Sequence, residues 1–319
     1  MNTTRRFLSI SNRNLLLIIA VVYSFILANL PLEERIDGMN YLNYAKNSHL
    51  ILAHYFSKGL LTVVFNEPIW LLLNTVLAKF FSPTNVVRII IFVPATIVAH
   101  TILSRSSKSY FILSLLLLIM PQILKNHITH LRQGLAIGLF MCAYMSNHVL
   151  LKSFLFFITP FIHISFVFIL LCKAISYFLV RIGLPSGFRL TTFFIFGIIT
   201  ALGGQALALM IGVRQQYNFE MTDVSGLGFV FWSFILFLIL WQGRRFQRQY
   251  TFPVGIIVLY LSTYFLVEFT GRVFESGLLV VILACLKLTG IRSLIFTSAM
   301  FCNFLIQCIP RFSISNFGF

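Results

Sequence analysis

Carboxylates are scarce in this chain. Eight Asp and Glu stand against 24 Lys and Arg in 319 residues, and charged residues of either sign make up only 10% of the total. A soluble domain carries about 25% charged residues, so there is too little ionic surface here for a water-soluble globule. No polar block of domain size occurs anywhere, which excludes a soluble enzyme tethered by a membrane anchor. No acidic pair of the DxD type is present to hold a divalent ion against a nucleotide sugar, and there is no Walker-type loop, GxSxG or HExxH. The five cysteines (Cys142, Cys172, Cys285, Cys302 and Cys308) lie inside apolar runs at no metal-ligand spacing, which argues against a disulfide framework and a zinc site. Neither a metal nor a cofactor is expected.

Apolar residues fill the space that charge leaves. They make up 59% of the sequence, with 36 phenylalanines and a mean hydropathy of +0.93. The apolar runs are long enough to cross a hydrocarbon core of roughly 30 Å. The expected fold is therefore an all-α, polytopic integral membrane protein with about 11–13 membrane segments, in a single domain over 1–319 with no internal repeat. Candidate spans run over 14–31, 67–82, 86–103, 109–124, 132–147, 150–180, 190–212, 227–241, 253–269, 272–288 and 291–309. The first follows Arg5, Arg6 and Arg13 and reads as an uncleaved span. The stretch 49–65 is weaker, being interrupted by His49, His54, Ser57 and Lys58. A net charge of +16 would suggest nucleic acid in a soluble protein. Here the basic residues sit in short connections between apolar segments, as the positive-inside tendency demands, so membrane lipid is the expected partner and nucleic acid is not.

That tendency also orients the chain. Arg105 with Lys108, Lys152, Arg181 with Arg189, and Arg244, Arg245 and Arg248 belong on the cytoplasmic side. Keeping Lys152 and Arg181 on one side requires 150–180 to cross twice, or to enter and return. Pro160 in ITPFIHISF is the natural break, because a proline cannot continue the helical hydrogen-bond ladder. His163 then falls near the external face, together with 125–132, 214–220, Arg272 and the acidic stretch 33–44. Glu67 is ambiguous. If 49–65 spans, Glu67 is cytoplasmic; if it does not, Glu67 is external and Arg105 with Lys108 break the charge rule.

An ionisable residue near membrane depth is costly and calls for a reason. Arg132 opens a helix in HITHLRQGLAIGLF, followed by Gly134, Ala136 and Gly138, which permit close approach of a helix or a ligand. Its planar guanidinium suits phosphate oxygens, or else it snorkels to headgroups. Arg272 stands four residues after Glu268 and three before Glu275, on one helical face. It is either the centre of a local ion-pair cluster or a second phosphate-facing arginine held by its carboxylates. Arg214 and Tyr217 lie in a late polar stretch that is either solvated or in contact with substrate. His163 is a satisfied structural residue or an acceptor of a proton or hydrogen bond. Asp37, with Tyr41 and Tyr44 at i+4 and i+7, marks an interfacial helix or a carboxylate flanked by aromatics that stack on sugars.

The motifs DGMNYLNY, NEPIWLLL, LRQGLAIGLF and FIHISFVF, in that order, resemble the Wzy/EpsG-like bacterial O-antigen and exopolysaccharide polymerases. The likeness covers about residues 35–170 by motif and the remainder by hydropathy and the late arginine. Its most specific parts are Arg132, Gln133, Leu135 and Ala136, and then His163 with Ser165. Ile164 stands where many relatives carry Lys or another polar residue. The resemblance implies a metal-independent glycosyltransferase of glycosyltransferase-C-like architecture. It would work on the periplasmic or external face of the bacterial cytoplasmic membrane, moving a growing glycan from undecaprenyl diphosphate onto a lipid-linked repeat unit. It also implies a flippase and a chain-length regulator as partners. On that basis His163 is the first candidate base, with Asp37 or Glu67 next. Arg132, Gln133, Arg272 and Arg214 would hold the diphosphate, with Tyr217 and Tyr41 against the sugar. The alternative is a lipid-linked oligosaccharide flippase or other transporter, although no two related halves are visible. A membrane acyltransferase with His163 as base would have no need of several external arginines.

Overall fold

Proline opens several of the helices in this chain. In a computed structural model, which describes residues 10–107, 110–211 and 225–313, every regular element is helical and no strand occurs among the described residues. Pro68, Pro83 and Pro121 each occupy the first turn of a helix: α4 (Pro68–Leu77), α5 (Pro83–Arg105) and α7 (Pro121–Ile128). A proline's missing N–H is unneeded at that position and its fixed φ is already helical. Before them come α1 (Ile10–Asn29), α2 (Gly38–Ser57) and α3 (Leu60–Phe65), and α6 (Phe111–Leu118) lies between α5 and α7. The chain continues through α8 (Leu131–Met145), α9 (Val149–Ile158) and α10 (Phe166–Arg181). Then follow α11 (Ser186–Ile211), α12 (Leu227–Trp241), the short α13 (Arg244–Gln249), α14 (Thr251–Thr263), α15 (Thr270–Cys285) and α16 (Ile291–Cys308).

Among the described residues three helices are long and apolar enough to cross a membrane: Pro83–Arg105, Ser186–Gly203 and Ile291–Arg311. The α6–α7 pair, bent by 46°, makes a fourth if counted as one span. The break expected at Pro160 is present. α9 stops at Ile158, a single 3-10 turn covers Thr159–Phe161, and α10 starts at Phe166.

The described acids gather at one end of the bundle. Tyr41, at the start of α2, donates its hydroxyl to the Thr129 carbonyl (2.8 Å) and accepts the Leu131 N–H (3.0 Å). Lys125 pairs with Glu275, Arg132 pairs with Glu67, and Gln133 bonds the Arg272 carbonyl at 2.8 Å. The opposite end is basic. There the Lys287 ammonium reaches the Arg105 carbonyl at 3.2 Å, Gln242 bonds Thr289 at 2.7 Å, and Arg292 bonds the Trp241 carbonyl at 3.2 Å.

This arrangement removes the conflict over Glu67. Counting 67–82 as a full crossing is what sets Glu67 against Arg105. α4 has ten residues, about 15 Å at 1.5 Å per residue, or half a hydrocarbon core. Glu67 lies at the acidic end and Arg105 at the basic end, with α5 as the one full-length helix between them. The weak stretch 49–65 is the second half of α2 plus α3, and since Tyr41 and Trp70 touch (ring centroids 5.9 Å apart), 38–70 leaves the acidic end and returns to it. Lys108 lies outside the described residues.

At the centre, α14 and α15 are buried almost all round, as expected for helices enclosed by other helices. Phe140 meets Phe156, Phe166 and Phe252, and Trp232 and Tyr260 close on Phe274. The perimeter is apolar too, with Leu150, Ile112, Phe188 and Ile306 largely exposed. In water so much exposed apolar surface is an aggregation hazard; against acyl chains it is the required surface.

The small residues of α8 are used by the protein's own backbone. A Cβ on Gly134 would fall 1.9 Å from the Asn126 carbonyl oxygen, and one on Gly138 would fall 2.7 Å from Pro94 Cβ and 2.9 Å from its Cα. These glycines let α7 and α5 approach α8, and no ligand space opens there. Replacing Gly138 by Ala forces α5 and α8 apart, an overpacking cost of about 1–3 kcal/mol. Thermal unfolding in detergent should show a lower midpoint for this variant. Gly187→Ala, with nothing within 4 Å of the added methyl, should not lower it.

Candidate functional site

Glu67 has an unusual backbone. Its φ of 58° makes it the one non-glycine residue with positive φ among the described residues, and it directly precedes a proline. Both features are disfavoured, the first by Cβ sterics and the second by the proline ring, and such positions cost about 1–3 kcal/mol. The carboxylate does not cap α4. Instead it turns inward and is shared: Oε2 takes the Arg132 Nη1–H, while Oε1 lies 2.8 Å from His163 Nδ1 and 3.4 Å from the Ile164 amide nitrogen.

Three separate parts of the chain supply this cluster. Glu67 comes from the α3–α4 turn, Arg132 from the first turn of α8, and His163 from the break between α9 and α10. A carboxylate oxygen only accepts, so His163 Nδ1 must carry the hydrogen of their bond. In the neutral imidazole Nε2 is then the acceptor nitrogen, and it is buried with no hydrogen-bond partner. Glu67 thus fixes the tautomer and orientation of His163 and supplies the counter-charge for Arg132. The Arg132 side chain stays 27% exposed, lies 5.6 Å from the centroid of the Tyr44 ring, and retains N–H groups that Glu67 does not use.

Other expected site residues surround this cluster in different capacities. Tyr41 is buried and commits its hydroxyl to Thr129 and Leu131. Gln133 is buried and donates to the Arg272 carbonyl and to Ser276 Oγ (3.0 Å). Both therefore fix the start of α8. Ser276 Oγ in turn lies 2.6 Å from Ser165 Oγ, joining α8, α10 and α15 in one polar chain. Asp37 is half-buried at the start of α2 and accepts from Asn40 Nδ2 at 3.0 Å. Arg272 is exposed in the first turn of α15. The expected Glu268–Arg272–Glu275 ion-pair cluster does not form among the described residues. Glu268 precedes α15, so it is not on the helical face, and Glu275 pairs with Lys125. Arg214 and Tyr217 lie outside the described residues.

Sequence reasoning missed His130. It sits between α7 and α8, two residues before Arg132, half-buried and with Nδ1 unpartnered. Burial, with Lys125 and Arg272 nearby, pulls its pKa down to about 4, keeping the imidazole neutral at neutral pH. Its signal was the pair of histidines in HITHLRQ. Trp70, packed edge-on against Tyr41 and Tyr44, was also missed; it is fully buried and backs the Tyr44 ring that lies next to Arg132. The described residues contain no group of three or more His, Cys, Asp or Glu able to hold a metal ion, and the cysteines are free.

No family model, curated protein or solved structure matches the chain.

Removing the Glu67 carboxylate strands a largely buried guanidinium. Glu67→Gln should destabilise the protein by about 3 kcal/mol, near the lower end for a broken buried pair because Arg132 retains some solvent contact. Adding Arg132→Gln should recover part of that loss. Unfolding midpoints of the two single variants and the double variant in detergent give the coupling directly; strict additivity would show that the pair contributes nothing.

Proposed function

We propose that the chain is a polysaccharide polymerase, a metal-independent glycosyltransferase that transfers a growing glycan from undecaprenyl diphosphate to a lipid-linked repeat unit. The observation that carries this is the Glu67–His163 pair, which leaves His163 Nε2 without a hydrogen-bond partner while the same carboxylate holds the Arg132 guanidinium. The motif order resembling the Wzy/EpsG-like polymerases supports it. On this proposal the acidic end faces the periplasmic or external side of a bacterial cytoplasmic membrane. The shorter apolar helices cross or enter the bilayer beside the long ones to give the 11–13 segments expected for roughly 30 Å of hydrocarbon, in a glycosyltransferase-C-like arrangement. A flippase supplying repeat units and a chain-length regulator are the proposed partners.

The chemistry follows from the charge that develops. The acceptor hydroxyl oxygen forms a bond to the donor's anomeric carbon, and the bond from that carbon to the diphosphate oxygen breaks with its electron pair. His163 Nε2 takes the hydroxyl proton, and Glu67 stabilises the imidazolium that forms. Negative charge gathers on the departing diphosphate. Arg132 and Arg272 supply fixed positive charge where no metal is required. Arg214 would assist from the late polar stretch and Tyr217 would contact sugar. Tyr44, half-buried beside Arg132, offers an aromatic face for a sugar ring, Tyr41 and Gln133 hold the scaffold, and Asp37 or His130 serves the acceptor's other hydroxyls.

Loss of a diphosphate-holding arginine should reduce turnover roughly 100-fold or more, by analogy with loss of an oxyanion donor. The test is the surface polysaccharide ladder of cells carrying the intact gene, a deletion, Arg132→Ala or His163→Ala, with membrane levels of each protein checked. Collapse to a single repeat unit in the deletion and both variants is the expected outcome. Loss of even the single-unit band on deletion would favour the flippase alternative. A ladder unaffected by deletion would overturn both, and a normal ladder with Arg132→Ala would remove that residue from the mechanism.

A further inference from the structure

The most unusual charge away from the acidic end is Arg189. It lies in the first turn of α11 and is only 6% exposed. Its Nη1 donates to Thr251 Oγ1 at 2.5 Å, and its Nε is buried without a partner. Among the described residues no carboxylate pairs with it. The sequence explains why: no Asp or Glu occurs between Glu67 and Glu220, or between Asp223 and Glu268. The helices around Arg189 therefore bring no counter-charge of their own. A guanidinium does not relieve burial by losing its proton, and a buried unmatched charge is costly.

Everything else nearby adds positive potential. Arg189 stands at a helix N-terminus, the positive end of the helix dipole. Thr251, its hydroxyl partner, also bonds the Arg248 carbonyl at 3.0 Å, which places the α13 arginines one turn away. Arg244, Arg245 and Arg248 are all exposed. Between α11, α12, α13 and α14 lies a shallow groove lined by Ser186, Arg189, Gln247 and Thr251 together with Phe193 and Leu240. The accessible lining of the groove is mostly apolar, and the positive charge stands behind it in Arg189 and beside it in the exposed α13 arginines. The helices that form it also expose Phe188, Phe194, Phe237 and Trp241, surface that suits acyl chains and has no use for a free ion.

We propose that this groove at the basic end binds the phosphate headgroup of an anionic phospholipid, held by Arg189 and Arg248 with its acyl chains along α11 and α12. The site lies at the end of the bundle opposite the Glu67 cluster and does not depend on the polymerase proposal.

Native mass spectrometry of the full-length protein in neutral detergent tests it, titrating phosphatidylglycerol and phosphatidylcholine in parallel. The expected result is one phosphatidylglycerol held in preference to phosphatidylcholine, with affinity reduced about tenfold or more in Arg189→Gln, the scale of a lost charge-assisted hydrogen bond. Arg248→Gln should lose affinity in the same direction; this side chain is exposed, so the variant decides the question even if Arg189→Gln fails to fold. Arg181→Gln, an exposed arginine held by the Tyr177 hydroxyl, should bind as the parent does. Equal phosphatidylglycerol binding by parent, Arg189→Gln and Arg248→Gln overturns the site, as does indifference between the two lipids. Arg189-dependent binding of inorganic phosphate alone, without preference for phosphatidylglycerol, overturns the lipid assignment in favour of a free anion.

Discussion

One buried carboxylate organises the acidic end of this protein. Glu67 accepts from Arg132 with one oxygen and from His163 with the other, so a single group ties the α3–α4 turn to the start of α8 and to the α9–α10 break. Each partner would be expensive alone: an unmatched guanidinium, an imidazole of undefined tautomer, a buried anion. Together they satisfy one another, and that mutual satisfaction offsets the left-handed backbone Glu67 must adopt just before Pro68. The strain follows from the geometry. A residue in the extended conformation usual before proline would aim its side chain elsewhere.

Scarcity of acid sets the wider electrostatic pattern. Six of the eight carboxylates lie among the described residues, at Glu33, Glu34, Asp37, Glu67, Glu268 and Glu275, and the bonds that join Tyr41, Lys125, Arg132 and Gln133 to their partners place these stretches at one end of the bundle. Two of the arginines and lysines there are internally compensated, Arg132 by Glu67 and Lys125 by Glu275. A diphosphate arriving at this end would therefore meet a shaped set of donors. Arg272 and Arg35 carry charges there with no carboxylate within 4 Å among the described residues, Arg35 being buried against the Leu27, Leu30 and Pro31 carbonyls and Arg272 exposed. At the basic end no acid among the described residues pairs with Arg189 or Arg248, and attraction there is a matter of net charge. The ends differ in kind as well as in sign.

Much of the helical layout was legible from sequence because hydropathy and proline act locally. The apolar segments at 227–241 and 291–309 coincide with α12 and α16 within a residue, and Pro160 breaks the 150–180 stretch where a proline must. The error at 67–82 has a physical cause. Hydropathy reports whether a segment tolerates lipid but not how much of it is helical, and α4 stops after ten residues, just before Lys79, although the expected span runs on to 82. Within the site, Arg132 and His163 were legible because charge in an apolar run is conspicuous. Their pairing through Glu67 was not, since it joins residues 65 and 96 positions apart. The expected Arg272 ion-pair cluster failed for a related reason: helical spacing proposes neighbours only inside a helix, and α15 begins after Glu268.

The polar chain behind the site bears on how such a centre would operate. Gln133 Nε2 donates to both the Arg272 carbonyl and Ser276 Oγ, and Ser276 meets Ser165, two residues beyond His163. This chain lies in a dry interior, where an unmade hydrogen bond carries its full desolvation cost. Sliding α8, α10 or α15 against one another would break several of these bonds at once, so Arg132, His163 and Arg272 are held in fixed relation by groups that need touch no substrate. Electrostatic stabilisation of a departing diphosphate is effective when its donors need not reorganise as charge develops. Tyr41 serves the same end from α2, satisfying both the Thr129 carbonyl and the Leu131 amide where α8 begins. What sequence reasoning assigned to substrate contact in Tyr41 and Gln133 is thus better understood as the rigidity on which any contact by Arg132 depends.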